Sequence, residues 1–576
     1  MTANASSSSG TSPSDLQTLE SDPAALRTLA PLDLVANSLL PPIPVAFLGR
    51  RELDLLAPLR FAHPDAPAAL PQRPSPDRVD LREKLAAGLA TANRAYGHPA
   101  ADALAEKLAD PRTRVVATGQ QPGLFGGPLY ALSKMVAASR WAAKLEAAGE
   151  PAVAVFWVAT EDHDWAEVAQ TTLLAQGGLR RFDLGPDPEP LAPLGTRTLG
   201  PEMARVHAEI AEAFPGPTFA AWRETLARWY RPEARFGEAF CRLMAHLLGP
   251  RCPLLLDAML PELKTAERPH LRRLVEERVA LEAAYAAQDA EIERRGLPLQ
   301  VAPQRGLSPL FLYTHGERRR IEWRGADRYA LRGRGGRDEE FPVEQLLAAI
   351  DENPGVVSPG VLARPAIQDA VLGTSILLLG PGEMSYIPQV VPAYRTLGIE
   401  GPAVALRPQV TLVETATRGR LTALDLTFSR IVADPGLVER RLAERGGGEF
   451  VAPVRDQIAA LLESLNPLAV AVDPSLDKPL EKTREQALRG LDLFADKVRA
   501  SAARKNEVEA RRAGQLLDLL RPNGKLQERE LSSAQFATRA MESAGEALWQ
   551  GMDLDPRRLQ AIELPPPPPQ GTGGGS

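Results

Sequence analysis

Cysteine is nearly absent from this chain: 576 residues carry two, Cys241 and Cys252. Two thiols cannot build a disulfide framework, and no Cys-x-x-Cys pair offers a structural zinc site. The secreted disulfide-rich class is excluded, as is any metal centre built mainly on protein thiolates. Both cysteines lie in apolar contexts, FCRLM and RCPLL, and read as small buried side chains, not nucleophiles. Long apolar runs are missing too: nothing approaches about 18 uninterrupted apolar residues, so no transmembrane helix and no membrane partner are expected. Nor is there an excess of one charge. Against 73 Asp and Glu stand 67 Lys and Arg, a formal −6, which gives no basis for coating nucleic acid. Met1–Asp15 is rich in Ser and Thr, without a basic start or an apolar core. It reads as a disordered lead, not a signal peptide, and the expected compartment is the cytoplasm. There is no Gly-x-Ser-x-Gly elbow. The histidines other than His163 show no ligand spacing, and no metal site is expected from the protein's side chains.

What is present is a long chain with an ordinary apolar share, 44%, worth about three to four domains by length. Arg114–Thr118 is a short apolar β-type run. A Gly-rich loop, Gly119–Pro128, follows it, then an amphipathic helix over about Leu129–Ala148, closed by Gly149. Val153–Ala159 is a second apolar run and ends in Thr160-Glu161-Asp162-His163-Asp164. Strand, Gly loop, helix, strand is a βαβ unit with a buried parallel sheet, whose ligands bind at the carboxyl ends of the strands. From about Pro186 to Glu352 helical patterns, including Leu260–Arg295, alternate with strand-like runs, including Pro253–Asp257, and read as an insertion. The sheet pattern resumes at Ser375–Leu379 and Ala403–Leu406. Asp473–Leu520 reads as one helix, about 70 Å long at 1.5 Å per residue. Such a length needs an antiparallel partner, in this chain or in a second copy. The divisions are a lead at 1–15, the first part of the sheet domain at 16–185 and an insertion at 186–352. The second part of the sheet domain follows at 353–433, a helical coiled coil at 434–560 and a disordered Pro/Gly-rich tail at 561–576.

Three patterns carry chemistry. The first is Thr118-Gly119-Gln120-Gln121-Pro122-Gly123-Leu124-Phe125-Gly126-Gly127-Pro128. Glycines between a strand and a helix admit a ligand to the backbone, and the helix start favours an anion. It is neither a P-loop nor the dinucleotide fingerprint, and a ligand-free capping loop is the competing reading. The second is Glu161, Asp162, His163 and Asp164, three carboxylates around one imidazole, able to hold an amine, ribose hydroxyls or a metal. The competing reading is a solvated cap for the next helix. The third is Gly380-Pro381-Gly382-Glu383-Met384-Ser385-Tyr386, which repeats the strand–Gly–helix logic. Arg364 and Arg407 are the cations nearest the strand ends, suited to phosphate or carboxylate.

These stretches, TGQQPGLFGGPLY, FWVATEDHDWAEV and GPGEMSY, followed by RPNGKLQER at Arg521–Arg529, together resemble the BshC family, the cysteine-adding ligases of bacillithiol biosynthesis. The resemblance implies an α/β fold with a Rossmann-like nucleotidyltransferase core similar to class I aminoacyl-tRNA synthetases. It implies connecting-peptide insertions and a C-terminal α-helical coiled coil that dimerises the protein. The implied reaction joins cysteine to glucosaminyl-malate through an amide bond, with ATP, and Mg²⁺ accompanying it, as the expected cosubstrate. Gly119, Gln120, Gln121, Gly123, Gly126, Gly127, Gly380, Gly382 and Glu383 would then bind nucleotide. Asp164, Tyr386, Arg364 and Arg407 would bind substrate, and His163, Asp162 and Glu161 would be catalytic. The chain departs from the family pattern at Gly360, where Asn is expected after Ser358-Pro359, and at Gln409, where Ser is expected. It has no KMSKS loop, which leaves Lys134 and Arg407 as candidate cations for a pyrophosphate leaving group by charge and position alone. The alternative from another class is a non-catalytic, nucleotide-responsive scaffold of the same thiol pathway. A tRNA-charging enzyme is disfavoured by the acidic balance.

Overall fold

The computed structural model describes residues 28–65, 70, 79–303, 305–325, 327–332, 338–445, 451–505, 507–538 and 543–565. The lead at 1–15 and most of the Pro/Gly tail lie outside the described residues. The chain divides into a core unit, Asp33–Leu412 with Lys525–Ser576, and a helical unit, Val413–Gly524 with the residues up to Leu32.

Six parallel strands form the centre of the core unit. They are β1 (Arg60–Phe61), β2 (Arg114–Gln120), β3 (Ala152–Val158), β4 (Leu254–Asp257), β5 (Thr374–Leu379) and β6 (Ala403–Leu406). Their spatial order is β1-β6-β5-β2-β3-β4, parallel throughout. Every residue of β3 and β5 is buried, as expected of strands covered on both faces. Helix α1 (Leu129–Ala147) packs on β2 and β3. Helices α2 (Pro261–Glu276) and α3 (Pro381–Leu397) follow β4 and β5. Strand order reverses between β5 and β2, and this switch point opens a crevice at the carboxyl ends.

The insertion differs from its expected extent. Pro253–Asp257, read as part of it, supplies β4 at the sheet edge. The span Leu260–Arg295 is two helices, Pro261–Glu276 and Arg278–Arg294. The inserted sheet proper has five strands in the order Glu339–Pro342, Arg328–Leu331, Glu317–Trp323, Leu307–Thr314, Val357–Pro359. Its last strand pairs antiparallel with Leu307–Thr314, Ser358 opposite Phe311. Residues 357–359 therefore belong to the insertion and not, as expected, to the second part of the sheet domain.

The C-terminal boundaries shift too. Helical structure outside the core spans Val413–Gly524, not 434–560. The long helix expected from Asp473 begins at Asp477 and is described as Asp477–Lys505 and Glu507–Leu520, residue 506 lying outside the described residues. Asp473 instead accepts the Ser475 N–H at 2.8 Å and starts a short 3₁₀ turn. The partner that so long a helix requires comes from the same chain: helices Gly436–Arg445 and Val451–Ser464 pack on Asp477–Lys505. The Arg455–Asp492 ion pair, 2.7 Å, joins two of them. After Gly524 the chain returns to the core, and Arg558–Glu563, placed partly in the tail by sequence, is a strand with Leu559 and Ile562 buried. The alternation there is short, and the proline run just beyond it obscures it.

The return is fastened by Glu528, whose carboxylate takes both terminal nitrogens of Arg407 at 2.7 and 2.9 Å. Both side chains are buried. Removing one partner of such a pair strands a charge and costs about 3–5 kcal/mol. Glu528→Gln should lower core stability by that amount in urea unfolding, and a loss under about 1 kcal/mol would contradict it.

Candidate active site

A cleft of about 1190 Å³ opens at the carboxyl ends of β2 and β3 and runs under the inserted sheet. Of the sequence-assigned residues, Gly119, Gln120, Gln121, Glu161, Asp162, His163, Asp164, Arg364, Glu383 and Tyr386 line it. Gly123, Gly126, Gly127, Gly380, Gly382 and Arg407 do not.

The Gly loop explains its own exclusion. At Gly119 a Cβ would lie 2.8 Å from the Trp157 carbonyl oxygen, so the end of β2 admits no side chain there. At Gly123 a Cβ would meet the Gly127 Cα at 2.6 Å, because the loop folds onto itself. Several of its polar groups are taken by protein. The Gly126 N–H donates to the Tyr230 hydroxyl at 3.0 Å, the Ser533 N–H to the Gly127 carbonyl at 2.8 Å, and the Leu129 N–H to the Leu531 carbonyl at 2.8 Å. This half of the motif seats the returning chain and lies away from the cleft lining. Arg407, engaged by Glu528, likewise does not line the cleft.

Lys134 is buried on α1 and its ammonium is fully spent. It donates to the Gly119 carbonyl at 2.8 Å and to Gln120 Oε1 at 3.0 Å, and sits 2.6 Å from Glu383 Oε2. Burial pushes its pKa down, against the pull of Glu383. Glu383 also accepts the Gly380 N–H at 2.8 Å, capping α3. Lys134 is therefore a tie between β2 and α3, not a free cation for a leaving group.

Arg364 begins the helix Arg364–Leu372, donates to Gln368 Oε1 at 2.8 Å and lies 6.0 Å over the Trp157 ring. It hydrogen-bonds Tyr386, whose phenol burial pushes up to about 12.

Asp162 holds the corner after β3. It accepts Gln121 Nε2 at 2.6 Å and the His163 N–H at 2.8 Å. Glu161 is buried and gives Oε2 to Lys264 of α2 at 2.8 Å, while Lys264 also reaches Glu267 at 2.9 Å. Burial works against the Lys264 ammonium, but the two carboxylates outweigh it and its pKa rises. Burial likewise raises the Glu267 carboxyl. Asp164 caps the helix Trp165–Val168 by accepting the Glu167 N–H at 3.2 Å, so the capping reading and the cleft reading both hold for it. Three buried polar atoms on cleft-lining residues have no protein partner among the described residues: Trp157 Nε1, Gln121 Oε1 and Glu161 Oε1.

His163 is half-buried between Phe311, ring centroids 6.1 Å apart, and Arg318, whose terminal nitrogen lies 3.3 Å from Nδ1. Burial and then the Arg318 charge lower its pKa, against Asp162 and Asp164.

Sequence reasoning missed four contributors. Arg318 and Arg320 come from the inserted strand Glu317–Trp323 and reach the cleft across Phe311, at 3.8 and 5.2 Å from its ring. Nothing in their local spacing marks them. Gly360, where the resemblance led us to expect Asn, makes room for this arrangement: a Cβ there would lie 2.9 Å from the Phe311 ring. Lys264 carries nothing in its local sequence that sets it apart from other helix cations. Glu167 was findable, since Asp164-x-x-Glu167 has capping-box spacing. It lines the cleft, and burial followed by the Asp164 and Asp162 charges raises its pKa.

This arrangement defines a class: a Rossmann-like α/β protein with an inserted antiparallel sheet roofing a carboxylate- and arginine-lined ligand cleft. Residues 66–408 match the family model for the bacillithiol biosynthesis BshC N-terminal Rossmann-like domain, and residues 410–548 match that for the BshC C-terminal coiled-coil domain. The chain belongs to the BshC family. A "Putative cysteine ligase BshC" of Salinibacter ruber is 32% identical over 448 residues, 74% of this chain and 78% of that protein. One of Thermus thermophilus is 31% identical, covering 83% of this chain and 93% of its own. A solved structure described as a putative arginyl-tRNA synthetase, from Campylobacter jejuni, aligns at 13% identity and a TM-score of 0.22, over 80% of this chain and 98% of its own. That score is too low to inform the fold.

The depressed pKa of His163 has a stability consequence. An unfolded histidine takes its proton near 6.5; the folded ring takes it only at lower pH. In that window the unfolded chain binds more protons, so stability falls as pH drops through 6.5, and the decline ends once the folded ring titrates. The penalty is absent above 6.5. Between pH 7.5 and 5.5, wild type should lose more stability in urea than His163→Gln; equal losses would contradict the depressed value.

Proposed function

We propose that the cleft joins cysteine to glucosaminyl-malate, with ATP as cosubstrate. The cysteine carboxylate oxygen attacks the α-phosphorus and releases pyrophosphate. The substrate amine nitrogen then attacks the acyl carbon of the cysteinyl-adenylate, the carbon–oxygen bond to AMP breaks, and the amine's proton passes to a protein base. Held reactants and a dry, polar wall account for the acceleration.

The observation that carries this reading is the set of unpartnered polar atoms at the end of β3. Glu161 Oε1 and Gln121 Oε1 are acceptors, Trp157 Nε1 is a donor, and all three belong to residues lining one cleft. A buried acceptor without a donor is costly, and an α-ammonium supplies donors. Glu161, fixed by Lys264, and Asp162, fixed by Gln121, form the anionic seat for that ammonium. Arg364, over the Trp157 ring, and Tyr386 line the same cleft and supply donors for a carboxylate or phosphate. Nucleotide binding falls to the backbone and side chains of Gly119–Gln121 with Glu383 and its neighbours. His163 and Glu167 are the two groups placed to take the proton; burial raises the Glu167 carboxyl and lowers the His163 ring from its ordinary value.

The helical unit is proposed to dimerise. Leu461, Leu468 and Val472 are 66%, 66% and 81% exposed on helices Val451–Ser464 and Asn466–Val472. A second copy of this chain is the occupant that a homodimeric coiled coil implies for these residues.

Purified protein with cysteine, glucosaminyl-malate and ATP should form the amide and release AMP and pyrophosphate. Amide formed without nucleotide consumption would defeat the adenylate route. Asp162→Asn should reduce kcat/KM for cysteine at least about tenfold, about 1.4 kcal/mol. Light scattering should give twice the chain mass for wild type and the single chain mass for Leu468→Lys with Val472→Lys; an unchanged mass would remove this face from the interface.

A further inference from the structure

His163 and Glu167 cannot both be the base, and the surroundings of His163 decide between them. Its Nδ1 faces a guanidinium nitrogen of Arg318 at 3.3 Å. A guanidinium has only donors and keeps its charge at any working pH, so Nδ1 must meet it with a lone pair. In a neutral imidazole the proton then resides on Nε2. The one carboxylate near Nδ1, Asp162 Oδ1, is 3.7 Å away, beyond hydrogen-bond length. That same oxygen already accepts the His163 backbone N–H at 2.8 Å and lies 3.4 Å from Arg318.

Arg318 is not free to yield. Its Nε donates to Ser358 Oγ at 2.8 Å, its second terminal nitrogen to the Pro359 carbonyl at 2.9 Å, and its plane rests 3.8 Å from the centre of the Phe311 ring. It is buried, so each of these bonds is sheltered from water. The charged groups acting on the ring are Arg318 and Arg197 on one side of the balance, Asp162 and Asp164 on the other. Nε2 has no protein partner among the described residues, and His163 lines the cleft.

We propose that Arg318 is a positioning residue which fixes His163 in the Nε2–H form, so that the ring offers the cleft a hydrogen-bond donor and not a base. The consequence for chemistry rests on the ligase reading. The donor stabilises the acyl oxygen as the amine adds and negative charge gathers there. His163 keeps its proton throughout. The proton lost by the amine goes to Glu167, which becomes the carboxylic acid when the carbon–nitrogen bond forms and AMP departs.

The tautomer is readable without substrate. Full-length protein carrying ¹⁵N-histidine has seven ring systems, and His163→Gln assigns the one in question by its disappearance. At pH 8 the two-bond ¹H–¹⁵N spectrum of wild type should show a protonated Nε2 and an unprotonated Nδ1. A protonated Nδ1 overturns the proposal, whatever the variants do. In Arg318→Met, if it folds, the ring should titrate at higher pH and lose its single tautomer; an unaltered ring overturns the role of Arg318. Turnover supplies an independent measure. His163→Gln keeps an N–H near the Nε2 position and should retain at least about tenfold more kcat than His163→Ala, whereas a base would be lost equally in both. Absence of turnover in wild type would sink the ligase reading while the spectrum still decides the tautomer.

Discussion

One ammonium organises the carboxyl edge of the sheet. Lys134, buried on α1, spends its bonds on the end of β2 and on the first turn of α3. Those two elements flank the point where strand order reverses, the place where a parallel sheet is least able to hold itself shut. A lysine there is costly to desolvate, and the cost is recovered only because every donor finds an acceptor. With the edge fixed, Gly119–Gln121 and Glu383 face each other at a set separation, and the wall that runs from Gln121 through Asp162 to His163 inherits the same fixity.

The roof of the cleft is built from a different principle. The inserted sheet contributes no catalytic motif of its own, yet it carries Phe311, Arg318 and Arg320 into the crevice. Arg318 is held by the strand that leads back toward the core, through Ser358 and Pro359. Gly360 fits this: room is kept for the ring on which two arginines rest. Cleft floor and roof thus meet at Asp162 and His163, where an acidic corner of the sheet domain touches the basic edge of the insertion.

The strands, α1 and the three motif-bearing loops were legible because their signals are local. Apolar β-branched runs, glycines at strand ends and a carboxylate cluster each declare themselves within about ten residues. What was not legible depends on pairing across long separations. β4 could not be told from an insertion strand, since a four-residue apolar run carries no statement about its neighbour. Arg407 looked like a ligand because its partner, Glu528, lies 121 residues on. Gly123, Gly126 and Gly127 read as a phosphate loop, since the Ser532–Ser533 segment that packs on them is more remote still, Ser532 lying 407 residues beyond Phe125. Glu167 lies outside the contiguous charged cluster, one turn into the helix that Asp164 caps.

The same remoteness sets an order of events during synthesis. Leu412 and Gln527 are bonded to each other twice, at 2.7 and 2.9 Å, although 115 positions separate them. On a ribosome adding about 5–20 residues per second, the helical excursion between them takes on the order of ten seconds. Through that interval Arg407 has no counter-ion and the glycine loop has no occupant. The nascent core is completed on this side only when the segment around Gln527–Ser533 emerges.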